Sequence, residues 1–168
     1  GAGKSHLLQA MAQVGAGHTL YLPLGELRQF PPEEVLANAE SSRRICLDDV
    51  HAVAGDTAWE AALFALYNRV QAADGRLLVA AKAAPRELPL TLEDLRSRFA
   101  WGVVFHLQQL TDEDKALLLA FRADRRGMTL SPAVAQFIVS RSPRETHALL
   151  ALLDRLDRDS LARKRPVS

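Results

Sequence analysis

Gly1-Ala2-Gly3-Lys4-Ser5 opens the chain, and the reading of these residues decides the fold. They match the second half of a phosphate-binding loop, G-x-x-x-x-G-K-[ST]. Glycines let backbone N–H groups curl around phosphate oxygens, and the Lys4 ammonium reaches the outer phosphates. The Ser5 hydroxyl ligates Mg²⁺, while the following helix turns its positive end toward the anion. The first glycine of the full pattern would precede Gly1, so the match is partial, and an exposed glycine-rich helix start is the plain alternative. Such a loop hangs between a buried strand and a helix. The chain is therefore expected to be a fragment whose leading strand lies before Gly1.

The second half of a nucleotide signature comes at Ile45-Cys46-Leu47-Asp48-Asp49-Val50-His51. In phosphate-loop enzymes, a strand beside the loop ends in an Asp that holds Mg²⁺, and a second acid orients the attacking water. Successive strand side chains point to opposite faces, so the two acids cannot share one task. Asp48 is assigned to the metal and Asp49 to the water. A solvated Asp-Asp turn is the alternative for an isolated pair; one intervening strand after a phosphate loop tips the reading.

The rest of the chain alternates in the manner of an α/β domain. His6 to Ala12 continues a helix, and His18 to Leu24 reads as a buried strand with Pro23 marking its end. Pro31-Pro32 begins a short helix. Gly55-Asp56-Thr57 punctuates the chain before a long helix with Trp59, Leu63, Phe64, Leu66, Tyr67 and Val70 at helical spacing. Asp74-Gly75 turns into the strand Arg76 to Ala81, whose end carries Lys82. Thr91-Leu92-Glu93-Asp94 has a capping pattern that opens a helix through Arg96, Arg98 and Phe99, and Val103 to Leu107 reads as the last strand. From Thr111 the pattern is helical: Thr111–Asp114 caps one helix that closes at Gly127, Ser131-Pro132 starts a second, and Ser142–Glu145 starts a third. This predicts a core over 1–109 and a helical appendage over 110–168.

Composition narrows the function classes. With 168 residues and 48% hydrophobic content, the chain can bury a real core. A net charge of +1 gives no strong electrostatic case for DNA, membranes or acidic substrates. The single cysteine, Cys46, excludes an internal disulfide and suits a reducing cytosol. The five His residues lack ligand spacing, which argues against zinc. No apolar run approaches ~18 residues, so no membrane span is expected.

Taken together, four stretches resemble the AAA+ ATPases of the replication-initiator clade: GAGKSHLL from Gly1, ICLDDVH from Ile45, LRSRFAWG from Leu95 and SPRETHALL from Ser142. The acid pair and the SRF-x-WG run are shared with the bacterial initiator DnaA. ALFALYNRV from Ala62 and LTDEDKALLLAFRADRRGMTL from Leu110 are more similar to the shorter Hda family of DnaA inactivators. The resemblance implies a phosphate-loop core with a parallel sheet and a small helical lid. It implies that Gly1, Ala2, Gly3, Lys4, Ser5 and His6 bind ADP or ATP, that Ser5 and Asp48 serve Mg²⁺, and that Asp49 completes the acid pair. Arg98 becomes an arginine finger offered in trans to a partner's nucleotide, and Arg144 a lid arginine sensing this chain's own. Lys82 stands where relatives tend to carry Asp or Asn. An ammonium cannot accept a proton from water, so self-hydrolysis is expected to be poor or absent. The implied partners are DnaA and the DNA polymerase III sliding clamp, the latter through a peptide before Gly1. DNA is engaged only indirectly, in the cytoplasm, with a homodimer left open. A fragment of DnaA itself, a DnaC-type helicase loader, and a structural module with a degenerate pocket are the competing readings.

Overall fold

The computed structural model describes residues 3–14, 18–141, 148–149 and 151–155. The chain divides into two compact units, Lys4–His106 and a second that groups Gly1–Gly3 with the chain from Leu107 onward.

The first unit is built on a parallel sheet of β1 (Thr19–Pro23), β2 (Arg44–Asp48) and β3 (Arg76–Val79), in that spatial order. β2 is central, and its apolar run Ile45-Cys46-Leu47 is buried on both faces, the pattern a covered parallel strand requires. Ile45 and Leu47 face the main core; Cys46 faces the opposite side with Leu8 of helix α1 (Lys4–Val14) and Ala80. Register pairs Tyr21 with Cys46 and Pro23 with Asp48. The short helices α2 (Leu24–Leu27) and α3 (Pro32–Val35) follow β1, the second with proline at its start, where a missing N–H costs nothing.

Helix α4 (Thr57–Ala72) begins at Asp56, whose carboxylate accepts the N–H groups of Ala58 (3.0 Å) and Trp59 (3.2 Å). Its buried stripe, Trp59, Leu63, Leu66 and Val70, recurs at helical spacing; each such side chain contributes about 1.5–3 kcal/mol on burial. After α4 the chain turns through Asp74 (φ 51°) and Gly75. A Cβ at Gly75 would sit 3.0 Å from Val70 Cγ1 and 3.3 Å from the Val70 carbonyl oxygen, so any larger residue in this turn into β3 would press on Val70.

Two expectations fail here. Helix α5 (Glu93–Trp101) has Leu92 at its N-cap with no side-chain cap. The Thr91 hydroxyl instead donates to Glu60 Oε2 at 2.7 Å. Glu60, 1% exposed, also accepts the N–H groups of Gly55 (2.7 Å), Thr91 (2.9 Å) and Leu92 (2.6 Å). The entry to α5 is thus held by a carboxylate from α4 rather than by a local box. Burial pushes the Glu60 carboxyl up, but the N–H groups of Leu92 and Gly55 and the hydroxyl and N–H of Thr91 outweigh it, leaving the group below its ordinary range. The second failure is the strand over Val103 to Leu107. No regular structure forms there, and Val103, Val104 and Phe105 are exposed. An apolar run becomes a strand only with a neighbour to complete its backbone hydrogen bonds, and among the described residues the sheet ends at β3.

The second unit pairs α6 (Asp112–Asp124) with α7 (Pro132–Arg141). Here the expected capping box forms: Thr111 Oγ1 accepts the Asp114 N–H (3.1 Å), and Asp114 Oδ2 accepts the Thr111 N–H (3.1 Å). Ser131 Oγ caps α7 by accepting the Val134 N–H at 3.3 Å. Leu119, Ala123, Ala135, Ile138, Leu149 and Leu153 form the core of this unit, and Arg126 pairs with Asp154 at 2.5 Å. The third helix start expected at Ser142–Glu145 lies outside the described residues. No helix among the described residues is long and apolar enough to cross a membrane.

Candidate functional site

Topology places the start of α1 and the end of β2 at one edge of the sheet. The 11 residues of α1 span about 16 Å at 1.5 Å each, and the 5 residues of β1 about the same at 3.3 Å each. Only residues 15–18 separate the end of α1 from the start of β1, and α1 packs on β1 and β2 through Leu8. The helix therefore returns antiparallel to the strands. Its first residues, Lys4 and Ser5, lie toward the carboxyl ends of the strands, where open parallel sheets bind ligands. Lys4 is half-buried and Ser5 and His6 are exposed. Gly3 has φ 81°, the left-handed backbone that a tight phosphate turn draws on. Gly1 and Ala2 lie outside the described residues, as does Arg144.

Asp48 ends β2 and is 2% exposed. It is two residues beyond Cys46 and so on the α1 face of the sheet. Its Oδ1 accepts the N–H of Asp49 at 2.9 Å, and its Oδ2 accepts the Tyr21 hydroxyl at 2.8 Å. Gln9 Nε2, from α1, donates in turn to the Tyr21 oxygen at 3.3 Å. Burial, with the Asp48 carboxylate next, pushes the Tyr21 phenol up to about 12, so the hydroxyl stays a donor throughout the neutral range. Sequence reasoning missed this residue. The signal was there: a tyrosine inside a buried strand needs a partner for its polar tip.

Asp49 stands apart from Asp48 in conformation as well as direction. It has left the strand, with φ 53° and ψ 40°, and its side chain is half exposed. Gly25 lies beside it: a Cβ there would touch Asp49 Oδ2 at 3.4 Å, an ordinary contact. His51 Nδ1 is 3.8 Å from Asp49 Oδ1. Lys82, two residues beyond Ala80, is exposed.

Arg98 lies elsewhere, on α5. Leu95 and Phe99 anchor that helix in the core, which leaves Arg98 on its flank. The guanidinium is 4.7 Å from the ring centre of Trp101 and 5.7 Å from that of Tyr67 on α4, within the range of cation–π attraction. It is neither a freely solvated charge nor fully covered.

No group of three or more His, Cys, Asp or Glu among the described residues is arranged to hold a metal by itself. Mg²⁺ asks for less: it keeps several waters and is held by one or two carboxylates together with substrate phosphates. One hydroxyl, Ser5, and one buried carboxylate, Asp48, at a common edge fit that demand.

The family model of the bacterial DnaA ATPase domain matches residues 39–106. The model of the Hda lid domain matches residues 112–168. The chain is a DnaA/Hda-related AAA+ protein. Its fold agrees with solved initiators. Domain III of the Thermotoga maritima replication initiation protein DnaA superposes with a TM-score of 0.76 at 20% identity, over 100% of this chain and 76% of that one. AMPPCP-bound DnaA from Aquifex aeolicus gives 0.73 at 20% identity, over 98% of this chain and 56% of that one. A replication initiator DnaA bound to AMPPCP and single-stranded DNA gives 0.73 at 19%, over 96% and 55%. This DnaA-related chain spans about half the length of the latter two. The AAA+ architecture, a parallel sheet in an α/β core and a helical lid domain, is the one its sequence pattern predicts.

Proposed function

We propose that this chain binds ADP or ATP with Mg²⁺ and acts as a regulatory inactivator of DnaA. The observation that carries the nucleotide half is the common edge: Lys4 and Ser5 open α1 where the buried Asp48 closes β2. Lys4 neutralises the outer phosphates, the α1 terminus and loop backbone donate to them, and Mg²⁺ when bound offsets their charge. Ser5 and Asp48 hold that ion, and Asp49 orients water. The Aquifex DnaA of like fold is bound to AMPPCP, an ATP analogue, which supports the same ligand class.

The regulatory half rests on Arg98 and on the Hda lid match. The chain docks with DnaA and the sliding clamp and presents Arg98 to the nucleotide of DnaA, where a guanidinium supplied in trans contributes ~10³–10⁵ in rate. Its own hydrolysis is weak: β3 stops at Val79, short of the expected Ala81, and Lys82, three residues beyond it, brings an ammonium to the region where an acceptor would orient water. Hydrolysis then returns DnaA to its ADP form and limits re-initiation.

The test is a pair of variants. Arg98→Ala leaves nucleotide binding intact and abolishes stimulated hydrolysis by DnaA in a reconstituted assay with clamp and DNA; normal stimulation overturns the finger. Lys4→Ala weakens ADP binding in calorimetry; an unchanged affinity overturns the phosphate site.

A further inference from the structure

Resting on the nucleotide site just described, we propose that Tyr21 is a positioning residue for Mg²⁺. Its hydroxyl fixes the Asp48 carboxylate in the orientation that receives the ion's water shell.

The geometry constrains Asp48 from two directions. Its Oδ1 takes the Asp49 N–H at 2.9 Å and its Oδ2 the Tyr21 hydroxyl at 2.8 Å. One donor is on the residue that follows; the other comes from the neighbouring strand. A carboxylate rotates easily about its terminal bond, and two donors on separate supports stop that rotation. Each oxygen keeps acceptor capacity, since an ionised carboxylate has about four lone-pair sites. Those left over are what a water-bridged ion uses.

Gln9 sets the sense of the Tyr21 bond. Its amide N–H donates to the phenol oxygen at 3.3 Å, so the phenol accepts from α1 and directs its own proton at Asp48. Gln9 is four residues beyond Ser5, on the same flank of α1. The line Gln9–Tyr21–Asp48 ties the helix that begins at the phosphates to the acid that serves the metal. Tyr21 therefore acts through Asp48 and touches neither ion nor nucleotide. The ring itself packs against the cluster of Leu8, Cys46 and Ala80, a role that phenylalanine would preserve. The hydroxyl is separable from the fold.

The experiment measures ADP affinity by calorimetry on the full chain, with saturating Mg²⁺ and with EDTA, for the native protein and for Tyr21→Phe, Gln9→Leu and Lys4→Ala. Loss of a residue that orients a metal ligand costs about 10–100-fold in metal affinity. Tyr21→Phe is expected to cut the Mg²⁺-dependent gain in ADP affinity by about tenfold, toward the low end of that range. Its EDTA affinity stays native. Gln9→Leu moves the same quantity the same way by less, and it carries the test if Tyr21→Phe does not fold. An unchanged Mg²⁺ gain in Tyr21→Phe, with Lys4→Ala still weakening ADP, overturns the role of Tyr21 and leaves the nucleotide site standing. An equal loss with and without Mg²⁺ also overturns it, by showing a merely structural tyrosine. Native ADP affinity in Lys4→Ala overturns the site and this inference together.

Discussion

Glu60 and Asp48 are both buried carboxylates in one α/β unit, yet their surroundings differ in kind. Glu60 is enclosed by the N–H groups of Gly55, Thr91 and Leu92 and the Thr91 hydroxyl, donors from two loops that it draws together. Asp48 has one donor on each oxygen and stands at the carboxyl end of a strand. A buried charge survives only when it is compensated. Glu60 is compensated wholly by its own fold, so its charge is spent on architecture. Asp48 is compensated in part, and it is the acid proposed above to meet an ion. The contrast teaches that burial alone does not mark function; the unfilled share of a group's hydrogen-bonding capacity does.

The largest effect that tests this contrast is on stability. Glu60→Ala strands several buried N–H groups at once and is expected to cost about 3 kcal/mol in urea unfolding, since each orphaned donor carries a penalty of about 1–3 kcal/mol and some regain water. Hydrogen exchange at the Thr91 and Leu92 amides should quicken with it. A loss below about 1 kcal/mol would remove Glu60 from the structural side of the comparison.

A smaller effect comes with pH. The Glu60 carboxyl is lowered in the folded state, so the unfolded chain takes up its proton first. Its stabilising contribution is present above the unfolded value of about 4.3 and is lost as pH falls through the lower folded value. The gap in urea midpoint between the native protein and Glu60→Gln should hold from neutrality to about pH 5 and close below it. A gap that widens on acidification would mean the sign is wrong.

The smallest effect is expected at Asp48. In Asp48→Asn, the amide oxygen still accepts the Asp49 N–H, and the amide nitrogen donates to the Tyr21 oxygen once the exposed Gln9 turns its amide so that its Oε1 accepts the phenol proton. Both groups stay satisfied, so stability should change by less than about 1 kcal/mol while Mg²⁺-dependent ADP affinity falls. A loss above about 2 kcal/mol, the range of an unsatisfied buried group, would make Asp48 as architectural as Glu60 and dissolve the distinction.

Much of this was legible in the chain because the relevant signals are local. Thr111 with Asp114 and Ser131-Pro132 each act within one helical turn, and the structure uses them as read; Asp56, read only as part of a break before α4, turns out to cap it. The unbroken apolar run at Ile45 reported a strand covered on both faces. What escaped is non-local. Thr91 has the residues of a cap, yet its hydroxyl is claimed by Glu60, 31 positions earlier. Tyr21 finds Asp48 across 27 positions because two strands lie in parallel register. Val103 to Phe105 has the composition of a strand, but composition does not state whether a neighbour is there to pair. The proposed site divides in the same way: Lys4, Ser5 and Asp48 were named from motif spacing, while the hydroxyl that bonds Asp48 required knowing which strands are adjacent.

The two tryptophans differ as sharply as the two acids. Trp59 is sealed in the core at 2% exposure, its indole N–H directed to the Arg28 carbonyl, while Trp101 is 71% exposed with Arg98 lying against its face. The chain thus carries a built-in optical gauge. Ultraviolet-excited emission from Trp101, taken as the difference from a Trp101→Phe variant that keeps Trp59, is expected to respond when that guanidinium leaves its ring, with no dye attached.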